Sequence, residues 1–415
     1  MSLPVFLFPC SLVPSFPAFV MPYILAQAIE IVTTALAVVG MGYFLASIAA
    51  AQMFLRERRA TRTQFTPGIS ILKSLKGLDP GMMDAFRSHC RQNYAGAFEL
   101  LFGVSSLDDP AAAAVTALKA EFPELAIRLV ECPERLGTNG KVSTLVQLAP
   151  HARYDILLIN DSDITVGPHY LEGVVCCFAP AAQDAGKAPV GLVTALFRGR
   201  AHGTLASRLE ALAISTDFIP GVLVSKVVER GVHYGLGSTL AVRREALEKS
   251  GGLLALVNLL ADDFEMGARV ERAGYRVMLS SEVVETSVPA YTGRAFFDHQ
   301  LRWLRTVRDA RPAGYSGLIF TYGLMWALLN VLASGLSPVS LWLLGLSFFL
   351  RLAQAMAVGA AVLGDHEVLP NLWLLPIRDV VAMGLWVAGF AGDTIVWRGE
   401  RFALKKGRLV KAQRS

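Results

Sequence analysis

Charge is the scarcest property of this sequence. Only 18% of its 415 residues are Asp, Glu, Lys or Arg, against 53% hydrophobic, and the mean hydropathy is +0.45. That balance is too apolar for an ordinary soluble protein. Cysteine is sparse and unpatterned: Cys10, Cys90, Cys132, Cys176 and Cys177 include no CxxC pair. An odd, scattered set argues against a disulfide framework and a zinc site, and fits a reducing compartment for the folded part. The formal charge of +5 does not point to nucleic acid, because residues 397–415 alone carry seven basic residues and one Glu. The remainder is near neutral, with no basic stripe interleaved with aromatics.

Long apolar runs are what the sequence does have. Residues 24–55 contain a single charge, Glu30, and are long enough to cross a bilayer core. "RERRATR" (56–62) follows with four Arg and one Glu, which marks that end as cytoplasmic. Residues 1–23 form an apolar lead with prolines at 4, 9, 14 and 17, read as an extracytoplasmic or interfacial segment or the product of an upstream start, with Met21 as the true start. A cleaved signal peptide fits less well, since there is no basic n-region. Three further apolar candidates follow, at 314–335, 338–363 and 371–394. Three full spans would carry the basic tail, 396–415, outside, so one is expected to lie in the interface or re-enter. The third is the expected one, because Arg378 and Asp379 fall inside it and are read as a mutual pair.

Between the membrane segments, residues 63–312 read as one domain. Apolar runs at Ile69–Leu72, Phe98–Val104, Ala126–Val130, Asp155–Asn160, Val190–Phe197, Ser238–Val242 and Arg276–Leu279 alternate with helical patterns such as 79–92, 110–122 and 139–149. Strand–helix alternation predicts an α/β fold around a mixed, mainly parallel sheet flanked by transmembrane helices. Ligands of such sheets bind off the carboxyl ends of the strands. Three acidic clusters fall there.

The first is Asp108-Asp109-Pro110, where helix capping explains the same residues. The second is "ILLINDSDI", in which a buried strand runs straight into Asp161 and Asp163. Two carboxylates at a strand mouth suit a divalent cation gripping a diphosphate, with Mg²⁺ or Mn²⁺ as the hard ions of choice; a solvated turn is the plainer explanation. The third is Asp262-Asp263, opening an amphipathic helix whose dipole keeps a carboxylate ionised, as a general base requires. A fourth stretch is basic: Arg294, Arg302, Arg305, Arg308 and Arg311, with Trp303 beside Arg302. It reads either as a lipid-binding juxtamembrane helix or as a cationic clamp on a leaving pyrophosphate.

Taken in order, "GISILKSLKG", "DDP", "GTNGKVSTL", "NDSDI", "GLVTALFRG", "GSTLAVRREAL", "LADDFEMG" and "HQLRWLRTVR" resemble the ceramide glucosyltransferase family, in a bacterial-type member, over about residues 65–312. The resemblance implies a membrane-bound, inverting glycosyltransferase with a GT-A-like nucleotide-sugar fold. It implies that the segment beginning at Lys73 faces the nucleotide and that Asp108 or Asp109 lines the uridine pocket. Asp161 would stand on the metal and diphosphate side, with Asp163 as a less conserved partner. Asp263 would be the catalytic base, and Arg302 and Trp303 the Arg-Trp of a (Q/R)xxRW motif. The sequence departs from that motif at its lead position, where His299 stands, with Gln300 one place off.

The implied reaction moves glucose from UDP-glucose to the primary hydroxyl of ceramide at the cytoplasmic face of a membrane such as the bacterial inner membrane. A hopanoid lipid glycosyltransferase using N-acetylglucosamine is the alternative within the class. A sugar-nucleotide-binding or transport protein is the alternative outside it, disfavoured by the absence of a repeat of helices.

Overall fold

The computed structural model describes residues 20–58, 65–180, 186–397, 400–405 and 407–411. The apolar lead therefore lies outside the described residues, apart from the first turn of a helix that spans Val20–Arg58.

Eight strands form the central sheet: β1 (Ile69–Ser74), β2 (Phe98–Val104), β3 (Ala126–Glu131), β4 (Ile156–Ile159), β5 (Ile164–Thr165), β6 (Val190–Ala201), β7 (Leu240–Arg243) and β8 (Arg276–Val288). Their order is β3-β2-β1-β4-β7-β6-β8-β5. β1 to β4 run parallel, β7 is antiparallel to both of its neighbours, and β6 pairs parallel with β8. β4 shows why its sequence is unbroken: Ile156, Leu157, Leu158 and Ile159 are each at most 3% exposed, because both faces of the sheet are covered. Each such side chain contributes roughly 1.5–3 kcal/mol on burial. β8 continues to Val288 rather than ending at Leu279. Polar Ser280–Glu282 interrupt its apolar run, but pairing with β6 carries the strand past them through a register shift.

Short local signals set the helices that point at the strand ends. Asp109 accepts from Ala111 N with Pro110 behind it, and Asn139 caps the helix Gly140–Leu148 by accepting from Val142 N. Both caps lie on loops following strands, at the carboxyl edge of the sheet.

Four helices among the described residues are long and apolar enough to cross a membrane: Ile24–Arg58, Leu205–Val228, Pro338–Val362 and Val368–Gly389. The second lies inside the stretch read as one water-facing domain, so that domain contributes an apolar helix of its own. A bend of another kind is present. Pro312–Thr321 and Gly323–Ala333 meet at 54°, whereas the segment containing Arg378 and Asp379 holds a continuous helix, Leu375–Gly389. Those two charges do not pair with each other either: Arg378 bonds Asp217, and Asp379 bonds Arg351. The first helix meets Gly323 at Gly40, where a Cβ on Gly40 would lie 2.2 Å from the Gly323 Cα, so only glycine permits this backbone approach.

The chain does not end in a loose basic tail. β9 (Thr394–Trp397), β10 (Glu400–Lys405) and β11 (Arg408–Lys411) form an antiparallel sheet whose Ile395, Phe402, Leu404 and Leu409 pack on Leu260.

Candidate active site

The carboxyl end of β4 is built on a buried polar chain. His89 Nδ1 donates to Ala85 O (2.8 Å), which leaves Nε2 to accept from Asn160 Nδ2 (2.9 Å). Asn160 Oδ1 in turn accepts from Lys73 Nζ (2.7 Å), whose other bond goes to the Asp161 carbonyl (2.9 Å). Burial pushes Lys73 down to about 7, partly offset by Asp163 and Asp161, and holds His89 well below its usual range. Lys73, expected to face the nucleotide, is fully buried and instead fixes the backbone from which Asp161 projects.

A second lysine stands at the mouth itself. Lys141 Nζ lies 2.6 Å from Asp161 Oδ1 and 3.9 Å from Asp262 Oδ2. Burial opposes its charge, but Asp161 and Asp262 outweigh that and hold its pKa up. Asn139 caps the helix and so puts Lys141 of "GTNGKVSTL" in its first turn, although nothing in that stretch announces the partners Asp161 and Asp262. Asn139 also donates to Asp262 Oδ1 (3.1 Å), so capping the helix and orienting Asp262 are done by one side chain.

Asp262 and Asp263 divide their work. Asp262 is buried and turned toward Asn139 and Lys141. Asp263 is half-buried; its Oδ2 accepts from Gly237 N (2.8 Å) and its Oδ1 from Phe264 N (2.8 Å). Burial and then the neighbouring Asp262 push its carboxyl up to about 6. Gly235 and Gly267 make this approach possible, since a Cβ on Gly235 would meet the Asp263 carbonyl at 2.7 Å and one on Gly267 the Gly235 nitrogen at 2.3 Å.

Asp163 accepts from Thr286 Oγ1 on β8 (2.6 Å), and burial together with Asp161 raises its pKa. Two carboxylates that repel each other are relieved by a cation, so the pair fits a hard metal ion. No group of three His, Cys, Asp or Glu among the described residues forms a cage. Mg²⁺ needs none, because one or two carboxylates plus substrate phosphates complete its shell. The donor set therefore suits an ion that arrives with a diphosphate.

Asp109 binds Gly77 N as well as capping its helix, so it shapes the loop after β1 (2.9 and 3.1 Å). Asp108 is exposed beside Ser106. On the helix Gly293–Ala310, the Trp303 ring lies 6.1 Å from that of Phe218 and 5.5 Å from His299. Arg302, half-buried, acts electrostatically on Tyr291, which also feels Asp163. His299 and Gln300 both turn to Glu210, at 3.1 and 3.2 Å. Two further arginines of this helix bond to the chain itself. Arg305 bonds the carbonyls of Thr394 and Ala391, and Arg308 bonds those of Gly389 and Gly392 and the Asp393 carboxylate. Arg311, just beyond the helix end, pairs with Glu229. Arg305 and Arg308 thus hold the segment that leads into β9.

Known proteins match this architecture along its length. The sequence profile of glycosyl transferase family 21 matches residues 32–410. Ceramide glucosyltransferase 3 of Caenorhabditis elegans is 24% identical over 396 residues, covering 91% of this chain and 83% of the relative. Ceramide glucosyltransferase 1 of the same organism is 23% identical over 364 residues, covering 84% and 74%. Among solved structures, the mannosyltransferase PcManGT from Pyrobaculum calidifontis, determined with GDP-Man and Mn²⁺, superposes with a TM-score of 0.51 at 20% identity, covering 86% of this chain and 99% of that one. That likeness establishes a shared GT-A-like fold. A family match that runs from the first membrane helix through the acidic loops to the C-terminal sheet makes this chain a glycosyltransferase of family 21, the family of the ceramide glucosyltransferases.

Proposed function

We propose that the protein transfers glucose from UDP-glucose to the primary hydroxyl of ceramide, inverting the anomeric centre to give β-glucosylceramide. The observation that carries the chemistry is that Lys141, held by Asp161 and Asp262, stands within electrostatic reach of Asp263. A carboxylate with a raised pKa faces the same cleft as an ammonium shared by two other carboxylates. The acceptor rests on the near full-length similarity to the two ceramide glucosyltransferases.

In this reading the sugar nucleotide lies over the carboxyl ends of β1 and β4. Asp263 takes the proton of the acceptor hydroxyl as its oxygen bonds the anomeric carbon. The bond from that carbon to the diphosphate breaks, and UDP leaves with the electron pair. Lys141 and Arg302 offset the charge that grows on the leaving group. Asp161 and Asp163 would hold a Mg²⁺ or Mn²⁺ ion, which supplies further neutralisation of the diphosphate when bound. The apolar helices bring the acceptor, a lipid, to the same mouth, with the domain on the cytoplasmic face.

The test is glycolipid formation by detergent-purified protein from ceramide and each of UDP-glucose, UDP-galactose, UDP-glucuronate and UDP-N-acetylglucosamine, read by mass. Hexosylceramide from UDP-glucose, lost on chelation with EDTA, is the expected result. Inert ceramide alongside transfer of N-acetylglucosamine to a bacteriohopanepolyol would keep the chemistry and overturn the acceptor. No UDP release with any acceptor would overturn the reading entirely.

A further inference from the structure

A buried carboxylate outside the acidic cleft has no role so far. Glu210, on the helix Leu205–Ala213, is 3% exposed and flanked by Leu209, Ala211 and Leu212. A carboxylate in such surroundings is costly unless donors surround it. They do: His299 Nδ1 (3.1 Å) and Gln300 Nε2 (3.2 Å) both approach Oε2, and the Tyr291 hydroxyl lies against the same group. A carboxylate only accepts, so it draws the imidazole proton to Nδ1 and leaves the lone pair on Nε2. The His299 side chain stays 20% exposed, so it is not sealed in the core as Glu210 is. Its ring stacks on Tyr291 (5.2 Å between centroids, 29°) and tilts against Trp303 (5.5 Å, 45°). The imidazole is thus held at Nδ1 by Glu210 and against the Tyr291 and Trp303 rings, which leaves Nε2 as its acceptor nitrogen.

We propose that Glu210 is a positioning residue that sets the tautomer of His299, whose Nε2 accepts a hydrogen bond from a substrate hydroxyl. The hydroxyl belongs either to the transferred sugar or to the polar head of the lipid acceptor. The inference rests on the transferase reading above. It explains why a charge is kept in an apolar helix where a leucine would otherwise pack. It also assigns the departure at His299 a chemistry: an acceptor oriented by a carboxylate, in place of an amide or guanidinium donor.

Two substitutions separate this role from a merely structural one. The amide of Asn reaches about as far as imidazole Nδ1, and that of Gln about as far as Nε2. His299→Ala is expected to raise KM for one substrate about 5- to 10-fold, as loss of one hydrogen bond does, with kcat changed much less. His299→Gln should recover most of that loss, and His299→Asn should not. KM measured separately for UDP-sugar and for lipid identifies which substrate carries the hydroxyl. Glu210→Ala should raise the same KM, and the Glu210→Ala/His299→Ala pair should be no worse than His299→Ala alone, since Glu210 acts through His299. Recovery by Asn but not Gln would mean that only the bond to Glu210 matters, and would overturn the proposal. So would single-variant effects that simply add. If Glu210→Ala fails to fold, the Asn and Gln pair still decides. A wild-type protein that makes no glycolipid would instead overturn the transferase reading and take this one with it.

Discussion

Asp263 holds its proton up to about pH 6, against 3.8 for a free aspartic acid, because burial and then Asp262 penalise the charge. A general base works only when ionised, so the rate should fall as pH drops through about 6, roughly tenfold per unit below it. The same shift bears on stability with the opposite benefit. A folded-state pKa above the unfolded one means that protonation favours the fold; that advantage fades as pH rises from about 4 to 6, leaving a penalty above it. Asp263→Asn should therefore cut turnover by about 10²–10⁴-fold, while the charge it relieves at pH 7.5 is offset in melting temperature by the amide nitrogen, which cannot accept from Gly237 N or Phe264 N as the carboxylate does. Turnover and melting temperature measured on one preparation check both halves; unchanged turnover removes Asp263 from the mechanism. Asp161→Ala removes the counter-charge of Lys141 together with a proposed metal ligand, and should lower the rate by about 10²–10³-fold. Because the donor set is open, Mn²⁺ alone should leave the melting temperature unchanged, and Mn²⁺ with UDP should raise it. A rise with Mn²⁺ alone would show a resident site instead.

The sheet β9–β11 was hidden by its charge. "TIVWRGERFALKKGRLVK" alternates apolar and basic residues across glycine turns, which is a strand signal, yet its net charge made it read as a tail. β1, β2, β4, β6 and β7 were legible because their runs are unbroken and nearly all buried, whereas β5, two residues long, and the far half of β8, interrupted by polar residues, were not. Asp161, Asp263 and the Arg302-Trp303 pair were legible as motif residues, whereas Lys141, Glu210 and the His89–Asn160–Lys73 chain were not. Their partners lie on other elements, and nothing in local spacing announces them. Folded as it is, the small sheet does a job at the site. Leu409 N donates to Asn258 O (2.9 Å), and Leu260 N to Gly407 O (3.4 Å), so β11 pairs with the segment that leads into Asp262. Arg305 and Arg308 clamp its other end to the helix of Arg302. Leu409→Asp puts a charge into the contact with Leu260, and Arg308→Ala frees the clamp. Each should lower kcat by about tenfold through the Asp262–Asp263 loop while the domain stays folded, a rise of about 1.4 kcal/mol in the barrier. Unchanged kcat in both variants would mean that the sheet braces nothing catalytic.

At the scale of the whole molecule, one charge cluster ties the catalytic domain to the membrane helices. Asp217 sits in a single π-helical turn, Ile214–Phe218, between two helices of the domain. Arg351, 3% exposed, bonds Asp217 (2.6 Å) and Asp379 (2.7 Å), and its remaining nitrogen bonds Thr216 O and Gln354 Oε1. Arg378 bonds the other Asp217 oxygen (2.9 Å). Three helices from distant parts of the chain therefore meet at one guanidinium fork. The next residue, Phe218, touches the Trp303 ring, so the cluster stands directly behind the aromatic wall of the cleft. Within an apolar layer these charges cannot be satisfied by water, and removing one partner strands the others. Arg351→Met leaves two carboxylates without their shared cation and should cost about 3–5 kcal/mol. Arg351→Lys keeps the charge but not the fork, and should recover only part of it. Asp217→Asn should be the mildest, because that side chain is 29% exposed and Arg351 retains Asp379. Melting curves of the three variants in one detergent rank them. If Asp217→Asn proves as damaging as Arg351→Met, the cluster acts through the cleft rather than by joining the domain to its helices.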